Sequence, residues 1–212
     1  MGSSTDQTQE LFNGTQLTSR TVTIAFQGEL GTFGDEAVRA YFNQEGQFKP
    51  DPMPYHSFAD VFRAVAAGEV DYGLVPVEDS QAGSINDVYD LLRQHDLFVI
   101  GEISHQGNDN YTRFIAIGRE PAPRREGPAK TMLVMATSHQ SGSLYRCLGI
   151  LAAKQINLLK LESRPSRQHA WEYVFYLDLE GHRDDLDVRS ALADLAGYTT
   201  FCKVLGSFAR NL

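Results

Sequence analysis

The chain has 212 residues, 42% of them hydrophobic and 22% charged, an ordinary globular composition with room for one or two cores, which excludes extensive disorder. Its formal net charge is -8 and its Lys and Arg residues are scattered rather than gathered into a stripe, so neither nucleic acid nor an anionic membrane is an expected partner. No apolar run approaches the roughly 20 residues of a membrane span and no leader pattern precedes the first strand, so a cytoplasmic protein is expected.

Residues 1 to 20, rich in Thr, Gln, Ser and Gly, read as a mobile tail. Val22 to Phe26 is a short apolar strand, and Gly28 to Gly34 turns it into a helix carrying Ala37, Val38, Tyr41 and Phe42, with Thr32 and Asp35 as candidate caps. A Pro-rich break at Pro50 to Pro54 precedes a brief strand. Phe58, Val61, Phe62 and Val65 then mark one face of a second helix. A strand over Leu74 to Val77 is expected to stop at Pro76 and Glu78-Asp79-Ser80, and Ser84 with Asp87 resembles a capping box for the helix around Ile85 to Leu92. Leu97 to Ile103 and Tyr111 to Ile117 read as strands joined by the turn Gly107 to Asn110, and this alternation predicts an α/β layer over residues 21–118.

Residues 119–130, rich in Pro, Gly and charge, form the best boundary. Beyond it, Thr131 to Ala136, Ser143 to Gln155, Leu158 to Glu162, Tyr173 to Leu179, Asp185 to Ala196 and Lys203 to Phe208 read as strand, helix, strand, strand, helix, strand. That order predicts a ferredoxin-like βαββαβ unit over 131–212.

The stretch from Asp71 to Leu92 puts a polar turn at a strand's carboxyl end, where an α/β sheet collects ligands; an ordinary strand-to-helix turn is the plainer alternative. Gly28-Glu29-Leu30-Gly31 lacks the glycine spacing of a dinucleotide fingerprint. Cys147 and Cys202 are too few for a disulfide framework or a zinc site and read as reduced core residues. None of the six His residues stands in an HExxH pattern or beside Cys, so no metal site is expected, and most read as surface or supporting groups. Taken alone, Thr112-Arg113-Phe114 reads as strand, and Ser141 to Leu144 as a helix cap with Glu162 and Arg164 as a surface pair.

Four ordered motifs change that balance: Phe26 to Phe33 (FQGELGTF), Val75 to Ser84 (VPVEDSQAGS), Thr112-Arg113-Phe114, and Glu162-Ser163-Arg164-Pro165 followed by Trp171 to His182. Together they resemble prephenate dehydratase with a C-terminal ACT domain, over residues 22 to about 208. The resemblance implies a periplasmic-binding-protein-like α/β lobe followed by a ferredoxin-like βαββαβ ACT domain. It implies conversion of prephenate to phenylpyruvate with loss of water and carbon dioxide, feedback regulation by L-phenylalanine, no metal and no organic cofactor. Thr112 would donate to the departing hydroxyl, with Glu78 and Asp79 as the other catalytic candidates. Gly31, Thr32, Ser80, Gly83, Ser84, Arg113 and Phe114 would bind substrate. Ser141, Gly142, Ser143, Leu144, Asn157, Leu158, Glu162 and Ser163 would bind phenylalanine at a subunit interface, in a homodimer or homotetramer joined through the ACT domain.

The chain departs from the family pattern in three places. Asp79 stands where the family has Asn, an anion in place of an amide donor beside a dianionic substrate; binding weakens unless Asp79 is protonated or paired. Gly142-Ser143-Leu144 replaces Gly-Ala-Leu, which bears on effector identity. Only about Ser104 to Asn110 occupies the place of the family's second catalytic lobe. Two readings of that gap stand open: a dehydratase whose internal segment is missing from this sequence, or a short relative that kept effector binding as an aromatic amino-acid sensor and lost efficient catalysis. A hairpin turn at Gly107 to Asn110 closes the two strands in either case.

Overall fold

The structure is a computed structural model that describes residues 20–43, 48–107, 110–165 and 173–210. The expected tail therefore lies outside the described residues except for Arg20, as do Asn108, Asp109, Trp171 and Glu172. The described elements run β1 (Arg20–Gln27), α1 (Phe33–Phe42), β2 (Phe48–Tyr55), α2 (Phe58–Ala67), β3 (Tyr72–Asp79), β4 (Gly83–Ser84), α3 (Asn86–Gln94), β5 (Phe98–Gln106), β6 (Tyr111–Gly118), β7 (Ala129–Ala136), α4 (Ser143–Ala153), β8 (Leu158–Pro165), β9 (Tyr173–Glu180), α5 (Leu186–Ala196) and β10 (Phe201–Ala209). The first sheet has the order β2-β1-β3-β6-β5, with β4 on β3; β1 is parallel to β2 and β3, and β6 is antiparallel to β3 and β5. The second sheet, β10-β7-β9-β8, is antiparallel and has the ferredoxin-like order.

Five details differ from the sequence reading. Pro50, Pro52 and Pro54 lie inside β2 rather than before it; β2 is an edge strand, and alternate residues without an N–H can face away from β1. β3 runs through Pro76 to Asp79, with a register shift between Pro76 and Glu78 that absorbs the missing donor. Ser84 does not cap α3: it pairs with Glu78 in the β3–β4 ladder, and Ile85 stands at the N-cap without a side-chain bond. Likewise Thr32 gives α1 no side-chain cap, whereas Asp35 accepts from the Gly31 N–H at 2.8 Å and closes the loop before α1. β7 begins at Ala129, inside the expected linker.

The helices divide the molecule into layers. α1 covers one face of the first sheet through Val38 and Phe42 on Ile24, Phe26 and Phe114. α4 and α5 cover one face of the second sheet through Leu151, Ala191 and Leu195 on Leu133, Met135 and Leu177. Between the layers, Phe62 of α2 and Leu92 of α3 share a core with Ile115 and Ile117 of β6, Met132 and Val134 of β7, and Leu205 and Phe208 of β10. The hydrophobic core is therefore continuous from the first sheet into the second. Close approach of β10 to β5 requires a glycine: a side-chain carbon on Gly206 would lie 2.0 Å from the Val99 carbonyl oxygen. Both strands also shift register there, between Val99 and Gly101 and between Val204 and Gly206.

Candidate functional site

Strand pleating decides which candidate residues can meet. Side chains of successive residues point to opposite faces of a sheet, and residues paired across strands share a face. Asp79 pairs with Thr112, and Thr112 with His105 on the next strand, so these three stand in a row on one face. Glu78 pairs with both Arg113 and Ser84, and these three belong to the other face.

The first face is the α1 side. The Thr112 hydroxyl donates to Asp79 Oδ2 at 2.6 Å, and Asn110 Nδ2 donates to the same oxygen at 2.8 Å. The other carboxylate oxygen, Asp79 Oδ1, accepts from the backbone N–H groups of Gln81 and Ala82 at 2.9 and 3.0 Å. The Thr112 bond first, then these amides, hold the Asp79 carboxyl down at about 2 although it is not buried. Asp79 is thus an ionised group satisfied by hydrogen bonds. Ser80 accepts at its Oγ from the Tyr111 N–H at 3.0 Å, tying the β3 end to the β6 start. Behind Thr112, Phe114 lies 5.8 Å from the Phe33 ring, and His105 lies 4.7 Å from the same ring with its Nε2 3.5 Å from Glu36 of α1. Gly31 and Thr32 precede that helix, Gly31 at φ 79° and Thr32 donating its hydroxyl to Glu29 O at 2.7 Å.

The second face meets the second sheet. Here the placement differs from the expectation that Glu78, Ser84 and Arg113 line one pocket with Thr112; the alternation of side chains along β3 and β6 turns them away from it. Arg113 donates to Asp178 of β9 at 2.6 Å and lies 3.2 Å from Glu78. Lys160 of β8 bonds Glu78, donates to the Tyr89 hydroxyl at 2.5 Å and lies 2.9 Å from Glu162. Ser84 donates to Glu162 Oε2 at 2.5 Å. Lys130 completes the cluster, 2.6 Å from Glu102, which itself lies 3.8 Å from Arg113. Burial opposes the charge on Lys160, but Tyr89, Glu78 and Glu162 outweigh it and its pKa is raised; at Glu162, burial is outweighed by Ser84 and Lys160 and the pKa is lowered. Both groups are charged. Gly83, at φ 74°, forms the β4 turn between the two faces.

The proposed effector residues also divide. Gly142 adopts φ 79° at the N-cap of α4, and Ser143 is buried, 3.2 Å from the Ser138 hydroxyl and accepting from Arg146 at 3.2 Å. Leu144 and Leu158 pack in the α4–α5 core, Ser163 pairs with Phe175 of that core, and Asn157 O accepts from Glu180 N at 2.9 Å. Ser141 is exposed beside them. Glu162 pairs with Tyr176, which packs on Tyr89, so its carboxylate belongs to the opposite, inner face of β8. Asn110, His105 and Lys160 were missed by sequence reasoning. Lys160 was findable, since it stands two residues before Glu162 and so shares its strand face; Asn110 and His105 gain meaning only from the β5–β6 pairing.

Among the described residues, no group of three or more His, Cys, Asp or Glu could hold a metal ion, and no helix is long and apolar enough to cross a membrane. Cys147 and Cys202 are free thiols.

Comparison with known proteins adds the following. A family model described as prephenate dehydratase matches residues 24–107, and one for the ACT domain matches residues 132–197. The bifunctional chorismate mutase/prephenate dehydratase of Aquifex aeolicus is 25% identical over 287 positions, covering 96% of this chain and 78% of that protein. Set against the 212 residues here, those 287 positions leave at least 75 facing a gap in this chain. Prephenate dehydratase from Streptococcus mutans is 31% identical with a TM-score of 0.76, covering 89% of this chain and 98% of that one. A protein described as GqqA, a novel type of quorum quenching acylases, is 31% identical with a TM-score of 0.78, covering 89% and 95%.

Proposed function

The chain belongs to the prephenate dehydratase family, and on that premise we propose that it converts prephenate to phenylpyruvate at the Asp79–Thr112 corner, under feedback control by L-phenylalanine at its ACT domain. The observation that carries the reading is the Thr112 hydroxyl at the mouth of the strand pair, on the same face as the loop before α1. In the reaction the electron pair of the breaking ring–carboxylate bond enters the ring, carbon dioxide leaves, and the ring hydroxyl departs as water with a proton drawn from solvent. A hydroxyl that donates to the departing oxygen lowers that barrier. Thr112 spends its one hydrogen on Asp79 in the free chain, so it must turn toward substrate. Asp79 keeps three donors when it does, Asn110 and the amides of Gln81 and Ala82.

Residues 21–118 serve as the catalytic unit, 119–130 as the linker and 131–212 as the regulatory unit, in a dimer closed through the ACT domain. The dehydratase match ends at residue 107, beside the β5–β6 turn, which supports the reading that the family's second lobe falls in the gap. The cleft's second wall must then come from another subunit, or catalysis runs without it.

Formation of phenylpyruvate from prephenate, corrected for spontaneous decomposition, tests the reading. Thr112→Ala is expected to lower kcat by roughly 10²-fold or more, the usual worth of a positioned proton donor, while phenylalanine binding persists. An unchanged rate removes Thr112 from the mechanism.

One observation favours a second reading, acyl-amide hydrolysis: a hydroxyl hydrogen-bonded to an ionised carboxylate is also the start of a nucleophile, and a similar protein is described as an acylase. A carboxyl held at about 2 is a weak base, so this reading stands second. Fatty acid release from an acyl-amide substrate that fails in Thr112→Ala supports it, and hydrolysis that survives the substitution removes it.

A further inference from the structure

The residues on either side of the reactive pair, rather than the pair itself, connect the two sheets. Asp79 and Thr112 face α1, and their chain neighbours Glu78 and Arg113 face the second sheet. Each neighbour is held there by charge. Glu78 is bonded by Lys160 of β8 and lies 3.2 Å from Arg113, while Arg113 donates to Asp178 of β9 at 2.6 Å. Lys160 carries three N–H groups, and Glu78, the Tyr89 hydroxyl and Glu162 take them, with Ser84 at 3.5 Å as an outer contact. The side chains of Arg113 and Asp178 are 15% and 3% exposed, so that contact is shielded from solvent, whereas Lys160 at 13% meets a Glu78 that is 33% exposed and is shielded on one side only.

We infer that Lys160 is a positioning residue: through Glu78 and the Glu162–Ser84 bond it lets strand β8 hold the β3 end and the β4 turn, and so sets the Asp79–Thr112 geometry from behind. Backbone on one face of a strand cannot shift without carrying the next residue on the other face. A displacement of about 1 Å at a reacting group costs on the order of 10²-fold in rate. The same placement gives the ACT unit a lever. A ligand ammonium that takes the Glu162 carboxylate removes an acceptor from both Lys160 and Ser84, and the β3–β4 turn loses its hold without any contact to the ligand. The turnover arm of this inference rests on the dehydratase reading, and the exchange arm does not.

Lys160→Met keeps the apolar stem and removes the charge. In the full chain, amide exchange at Ser80, Ala82 and Thr112 is expected to quicken by about tenfold or more, while amides of α4 and α5 keep their rates. Prephenate kcat is expected to fall by about tenfold or more with KM within about threefold, and phenylalanine, no longer competing with Lys160 for Glu162, is expected to bind at least as tightly yet change turnover by less than about twofold. Lys160→Arg, which keeps the charge, restores part of each effect and guards against a Met variant that merely misfolds. Unchanged exchange at the three amides overturns the inference, as does a Lys160→Met enzyme that keeps both its kcat and its phenylalanine response. If the unaltered chain turns over no prephenate, the dehydratase reading falls and the exchange rates still decide the hold by Lys160.

Discussion

The charge of Asp79 is met by hydrogen bonds: Thr112, Asn110 and two backbone amides share its oxygens. On the dehydratase reading proposed above, this anion would repel substrate carboxylates and hold the Thr112 hydrogen, so its removal bears on catalysis as well as on stability. In Asp79→Asn the amide oxygen keeps the Gln81 and Ala82 N–H groups and the Nδ2 turns toward Thr112 Oγ, which leaves the Thr112 hydrogen free for substrate. Its kcat/KM for prephenate is expected to rise by about fivefold or more, since the charge-assisted hold on the Thr112 hydrogen is released. Steady-state rates of the two proteins decide this, and an unchanged kcat/KM shows that the carboxylate does not restrain Thr112. Stability changes with pH in a fixed direction. The folded carboxyl sits at about 2, below its usual 3.8, so its contribution is fully present above about pH 4 and is lost as pH falls from there through about 2. The gap in unfolding temperature between the unaltered chain and Asp79→Asn is therefore constant at neutral pH and changes only across that acid window. The sequence showed Asp79 and Thr112 as candidates, but nothing in it indicated that each pairs with the other, because pairing depends on the β3–β6 register.

At the level of elements, helices and most strands were legible because their signals are local: Phe58, Val61, Phe62 and Val65 form one face of α2, and Ser57 and Gly68 cap it at both ends. The misreadings came where a long-range partner overruled a local rule. Prolines entered β2 because it is an edge, and Ser84 left the N-cap of α3 because Glu162 offers it an acceptor. α3 also receives its C-terminal cap from outside. Lys203 of β10 donates to the carbonyl oxygens of Leu92, Arg93 and His95 at 3.3, 3.5 and 2.6 Å, satisfying terminal acceptors and countering the negative end of the helix. Replacement by Met at position 203 is expected to cost about 1–2 kcal/mol, by the usual worth of a partly buried cation at a helix end. Chemical denaturation measures it, and a loss below the error of the extrapolation shows that water replaces the ammonium at no cost.

For the whole molecule, a composition break at 119–130 suggests two independent units, whereas the packing joins them. Phe62 and Leu92 from the first layer and Leu205 and Phe208 from the second lie in one core, and Arg113, Glu102, Lys130 and Asp178 form charged contacts across the same boundary. A state with one sheet folded and the other lost would expose that core and leave several charges without partners, and breaking a buried pair costs about 3–5 kcal/mol. Such a state is disfavoured against both ends of the transition. The full chain is therefore expected to unfold in one calorimetric transition whose van't Hoff and calorimetric enthalpies agree. Gly206→Ala tests the cause, because it acts only where β10 lies on β5: the added carbon meets the Val99 carbonyl oxygen at 2.0 Å, and overpacking of this kind costs about 1–3 kcal/mol or more. If the sheets are coupled through this crossing, the variant either unfolds at a lower temperature in one step or splits into two transitions as the contact opens. Two transitions in the unaltered chain would show instead that the shared core is too weak to join the sheets, and the lever from β8 to Asp79 and Thr112 would lose its footing.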